Sequence, residues 1–179
     1  MATLISHNEF SSIDDCLIQV GVDARSNDRL SLCTSHPSEW WMHWEGGPGA
    51  HVVICCRDDY IQAVLPETVK DAATLALRHS KANPIDSKTY AITLTRPCYL
   101  QKPKGAKDGM VQIMSTHNSQ SSGNSSTKGK KKPKPSRKLK QSMTAITDDT
   151  IVQKYFIKYD ESRYQRVLES KKPQVRNWD

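Results

Sequence analysis

Residues 39–56 read EWWMHWEGGPGAHVVICC, from Glu39 to Cys56, and put three of the four tryptophans and two of the six histidines on either side of a Gly-Gly-Pro-Gly turn. Tryptophans this dense expose much apolar surface unless they are buried or bind something flat. In the turn, Gly46, Gly47 and Gly49 tolerate positive φ and Pro48 fixes its own φ, while His51 to Cys56 has the Val/Ile character of a strand buried on both faces. The stretch therefore predicts a strand, a tight turn and a central strand.

Outward from it, Cys16 to Val20 reads as a short strand ending at Gly21, the expected first element of the sheet. Asn27 or Asp28 is placed to cap a short helix carrying Leu30 and Leu32, closed by Pro37. On the other side, Arg57-Asp58-Asp59 opens a loop and Pro66-Glu67 begins a helix expected to run to Ala82. Its small face, Val69, Ala72, Ala73, Ala76 and Ser80, suits close packing on a sheet, and Asn83-Pro84 ends it. Tyr90, Ile92 and Leu94 alternate with Ala91, Thr93 and Thr95 as in a strand, and Pro97 predicts an edge or a bulge beyond it. A last strand is expected around Met110 to Met114. The fold class is α+β, with a mostly antiparallel sheet and one helix on its face.

The 179 residues carry a formal charge of +7, unevenly spread. Residues 116–142 hold eight Lys and Arg and no acidic residue, which predicts a disordered basic linker after a folded domain over 1–115. Its basic run reads equally as a nuclear-import signal, a nonspecific RNA tether or a solubilising tail. Residues 143–179 are too short to stand alone. A strand with Tyr155, Phe156, Ile157 and Tyr159 and a helix over Glu161 to Glu169 either dock on the first domain or fold on a protein partner. Five cysteines without a CxxC pair, no secretory signal and no membrane-length apolar run predict a soluble, cytoplasmic or nuclear protein without membrane contact.

Two regions carry candidate chemistry. Lys102, Lys104 and Lys107 are spaced by prolines and glycines in LQKPKGAKDGMV, so they can aim at phosphates or form only a solvated turn. The spacing is not that of a Walker loop. Trp41, His43 and His51 flank the glycine turn, where they could stack on a ligand or serve as core and as structural hydrogen bonds. A hydrolase using His43 and His51 with Glu39 or Glu45 is an alternative. Cys55 and Cys56, as strand neighbours, cannot both join His51 on one zinc ion, and no cofactor or metal is expected.

Taken in order, these blocks resemble the NFACT-R module, the RNA-binding domain of the family that includes nuclear export mediator factor and bacterial RqcH of ribosome quality control. The resemblance covers about Cys16 to Met114. It rests on Val20-Gly21 with Asn27-Asp28 and Leu30; on Trp41, His43, Gly47-Pro48-Gly49 and His51 to Ile54; on Ala72-Ala73, Leu75-Ala76 and Ser80; and on Lys102-Pro103-Lys104-Gly105-Ala106-Lys107 with Gly109. Ala50, Cys55 and Gln101 depart from the family pattern, and the helical arms and N-terminal domain that engage tRNA are absent from the matched region. The resemblance implies an RNA-binding module, with tRNA or rRNA as ligand, the ribosome as a further partner and no catalysis. Its site would comprise Lys102, Lys104, Lys107, Trp41, His43, His51, Gly49 and Asn27. An adaptor acting through the C-terminal element is the other alternative.

Overall fold

A computed structural model describes residues 7–55, 65–114 and 152–172. Eight strands are present among them: β1 (His7–Ser11), β2 (Leu17–Gly21), β3 (Trp40–Trp44), β4 (Val52–Cys55), β5 (Thr89–Thr95), β6 (Leu100–Gln101), β7 (Gln112–Ile113) and β8 (Val152–Lys158). The helices are α1 (Ala24–Arg29), α2 (Pro66–Arg78) and α3 (Glu161–Glu169). Six strands form one antiparallel sheet in the order β1-β2-β4-β3-β5-β8, and β6 and β7 form a separate ribbon. The α+β class expected from the sequence is the one found. The linker at 116–142 and the loop at Arg57 lie outside the described residues.

The glycine turn joins β3 to β4 as expected, and all four residues of β4 are buried, as a strand covered on both faces requires. On one face Trp40, Met42, Val52, Ile54, Ile92 and Leu94 pack against Val69, Ala72, Ala73 and Ala76 of α2. On the other, Trp41, Val53 and Cys55 pack with Leu30 and Leu100. The Arg96 guanidinium lies 4.0 Å over the Trp40 ring and bonds the Ser38 carbonyl.

Several boundaries differ from expectation, each for a local reason. Cys16 to Val20 is not the first strand, because β1 precedes it and pairs with it through Phe10 opposite Ile18. Asn27 and Asp28 do not cap α1 but lie inside it. Asp23 is the cap, accepting from Ser26 N–H while Ser26 Oγ accepts from Asp23 N–H. After α1 the chain makes a π-helical turn, Leu30–Thr34, which buries Leu30 and leaves Leu32 exposed. Helix α2 stops at Arg78, four residues short of Ala82, where Ser80 Oγ donates to Leu77 C=O and Lys81 N–H donates to Pro48 C=O. Strand β5 is interior, between β3 and β8, because Pro97 falls beyond its end in a 3₁₀ turn. The strand expected near Met114 pairs only with β6.

The C-terminal element, open between docking and folding on a partner, docks. β8 pairs with β5 from Thr89 opposite Lys158 to Thr95 opposite Val152. Ile157, Tyr159 and Val167 join the core. Helix α3 begins at Asp160, whose carboxylate accepts from Ser162 and Arg163 N–H, and it spans the predicted residues. It is held to α2 by ions. Asp71, fully buried, accepts from Arg163 at 2.7 Å and Arg166 at 2.6 Å on one oxygen and from Ile13 N–H at 3.0 Å on the other. Glu67 accepts from Arg163 at 2.8 Å and Lys70 at 2.6 Å.

Candidate functional site

Asn27 organises the site. Its side-chain amide donates to Gly49 C=O at 3.1 Å while its side-chain oxygen accepts from His51 N–H at 3.0 Å, so one buried side chain reads the backbone on both sides of Ala50. Two glycines make room for this. A Cβ on Gly21 would stand 2.0 Å from Asn27 Oδ1, and one on Gly49 would stand 2.6 Å from Ser80 Cβ. Gly47, at φ +155°, is the turn residue whose backbone itself resists a side chain.

Behind the turn three rings meet. Trp41 and His43 stack at 5.8 Å and 11°, and His51 meets both edge-on at 5.1 and 5.4 Å. The rings are held from below by Ser31, fully buried on the π-helical turn. Its Oγ accepts from Trp41 Nε1 at 2.9 Å and lies 2.7 Å from His51 Nδ1. His51 Nδ1 is also 3.2 Å from the Asn27 carbonyl, which can only accept, so a proton on Nδ1 satisfies both partners and leaves the lone pair on Nε2. Burial, reinforced by His43, lowers His51 to about 4, and burial lowers His43 as well. Both rings are therefore neutral at physiological pH.

The rings open into a cleft of about 660 Å³. Five of the eight candidate residues line it: Asn27, Trp41, His43, Gly49 and His51. His79, Ser80 and Lys81 from the end of α2 form one wall, and Asp108 to Val111 form another. No sequence pattern pointed to His79, whose pKa is lowered by burial and then by Lys171 and Arg78. Charge in the lining is mixed, Lys81 against Asp23 and Asp108, with Arg25 3.5 Å from Asp108.

The three lysines lie outside the lining. Lys102 turns inward: its ammonium donates to Asp28 at 2.5 Å and to the Lys107 carbonyl at 2.6 Å. It ties the loop to α1 and its charge is matched by Asp28. The loop is two successive turns, closed by Ala106 N–H on Pro103 C=O and Met110 N–H on Lys107 C=O, with Gly105 and Gly109 at φ +75° and +81°. Gly109 sits against Ala24, where a Cβ would come within 3.1 Å of the Ala24 Cβ. Lys104 and Lys107 stand exposed on these turns.

The carboxylates of the hydrolase alternative are engaged elsewhere. Glu45 accepts from Thr93 and Lys154, both at 3.0 Å, and Glu39 accepts from His36 N–H at 2.9 Å. Cys55 belongs to the core around Val53, and Cys56 lies outside the described residues.

No family model matches the chain. It is 33% identical over 108 residues to the Rqc2 homolog RqcH of Bacillus subtilis (strain 168), a match covering 60% of this chain and 18% of that protein. It is 35% identical over 95 residues to the Rqc2 homolog RqcH of Streptococcus suis (strain 05ZYH33), covering 53% and 16%. The match thus spans less than a fifth of the length of these relatives. A solved structure of the C-terminal of the fibronectin/fibrinogen-binding protein from Streptococcus suis superposes with a TM-score of 0.61 at 21% identity, over 90% of this chain and 49% of that one. The chain is therefore related in sequence to the RqcH proteins through a segment of their length, and it shares its fold with the C-terminal part of the streptococcal protein.

Proposed function

We propose that the chain is an RNA-binding module linked to translation, with ribosome quality control as its setting and tRNA or ribosomal RNA as its ligand. The cleft carries this reading: a mostly apolar hollow walled by Trp41, His43 and His51, rimmed by backbone from a glycine turn, and flanked by a rigid loop presenting Lys104 and Lys107. Its neutral rings and mixed charges suit an unstacked base better than a phosphate, and the two exposed lysines suit the phosphates beside it. The kinship with RqcH proteins supports the same setting.

The test uses the full chain with the eight Lys and Arg of 128–140 changed to Ser, so that the basic run does not mask the folded part. Binding to a tRNA and to oligouridylate is compared at two salt concentrations. Preference for tRNA is expected, and Lys104→Ala with Lys107→Ala should flatten the slope of log affinity against log salt by about 1.4 and reduce that preference. Equal binding of both RNAs, indifferent to the two substitutions, would overturn the reading.

A further inference from the structure

The sheet face opposite α2 continues past the cleft. In register, His43 on β3 stands beside Thr93 on β5, and Thr93 beside Lys154 on β8. At about 4.8 Å per strand, this row leads from the cleft to the sheet edge in about 10 Å. Along β8 the same face carries Val152, Lys154, Phe156 and Lys158, all exposed, because alternate residues of a strand share a face and Tyr155 and Ile157 point to the core. Phe156 is 53% exposed, an aromatic ring set between two lysines on a rigid strand. Glu45 holds Lys154 at 3.0 Å, and Lys158 lies at the far end of the row of exposed side chains.

We propose that this face is a second contact for the same RNA: a single strand leaving the cleft past His43 crosses Thr93 and stacks a base on Phe156, with Lys154 and Lys158 meeting the flanking phosphates. The inference rests on the RNA reading of the cleft. Exposed aromatics on a sheet are a sequence-tolerant platform for bases, and lysines two residues to either side on the same strand flank such a platform. Glu45 restrains the site by occupying Lys154.

The full chain, with the eight Lys and Arg of 128–140 again changed to Ser, is titrated with labelled oligouridylate of twelve nucleotides and with a dinucleotide. Phe156→Ala should weaken binding of the twelve-mer about 5- to 100-fold and leave the dinucleotide unchanged, and Phe156→Trp should bind as the parent does. Glu45→Gln should tighten binding of the twelve-mer and steepen its salt slope by about 0.7, which Lys158→Ala should flatten by the same amount. Unchanged affinity in Phe156→Ala, with the parent binding both probes, overturns this inference and leaves the cleft reading standing. Should Phe156→Ala fail to fold, no tightening in Glu45→Gln together with no effect of Lys158→Ala overturns it equally. Absence of binding by the parent overturns both.

Discussion

The glycine turn and helix α3 are each fastened to a neighbouring helical segment, the turn to α1 and the π-helical turn after it and α3 to α2, but by opposite chemistry. The turn is clamped by neutral groups: the Asn27 amide on two backbone atoms, and Ser31 between Trp41 and His51. Helix α3 is clasped by ions, Arg163 and Arg166 on the buried Asp71 and Arg163 again on Glu67. A neutral clamp holds backbone at fixed positions without adding charge beside the cleft. An ionic clasp tolerates no loss of one partner, since the other is left charged and partly buried.

The comparison is broken most forcefully at Asp71. Asp71→Ala removes the carboxylate shared by two arginines and by Ile13 N–H, and should cost about 3–5 kcal/mol in urea denaturation. A loss below about 1 kcal/mol would show that packing of Val167 and Tyr159, not the ions, holds α3.

The next largest effect separates the two fastenings by pH. His51 is held at about 4 against an ordinary 6.5, so the unfolded chain binds the proton more readily. Its contribution is complete above pH 6.5 and is lost as pH falls toward 4, on the order of 3 kcal/mol in all. His43 and His79, shifted the same way, add to the slope. Glu67, lowered by its bonds to Lys70 and then Arg163, keeps its contribution until pH drops below its ordinary 4.5. Stability followed by denaturation across pH 7 to 4.5 should therefore decline mainly through the histidines, and His51→Gln should make the decline shallower. A flat profile in the parent would contradict the neutral clamp.

The smallest of the three lies in the clamp itself. Asn27→Ala leaves Gly49 C=O and His51 N–H without their partner and should lower stability by about 2 kcal/mol in thermal or urea melts. A change within about 0.5 kcal/mol would mean that the glycine turn holds its shape unaided.

What the sequence discloses follows the range of the interaction. Helix α3 was legible to the residue because Tyr164, Val167 and Leu168 falling on one side is a local signal, whereas its Asp160 cap came only with the structure. β4 was legible because a run of Val and Ile admits few other fates. β1 was not, since HNEFS shows a single large apolar residue, and its alternation becomes visible only when Asn8 and Phe10 are seen to be buried together. The Asp23 cap was hidden because Ser26, not Glu or Gln, completes the box. At the site, the gathering of Trp41, His43 and His51 was foreshadowed by their flanking one turn. The inward turn of Lys102 depends on Asp28, seventy-four residues away in sequence, which no local pattern announces. Asn27 was singled out, yet its work as a backbone clamp across the sheet could not be read without the fold.

The path of the C-terminal segment has a consequence for how the sheet opens. It pairs with β5 along one edge as β8, crosses α2 as α3, and by Lys172 has reached the opposite edge, where Ser170 exchanges hydrogen bonds with Ser11 and Lys172 N–H donates to Glu9 C=O at 2.9 Å. Both outer strands are thereby bound into one belt. Fraying at β1 and fraying at β8 become a single event, so the amide protons of the two edges exchange with solvent together, at a rate set by release of the belt and not by the length of either strand.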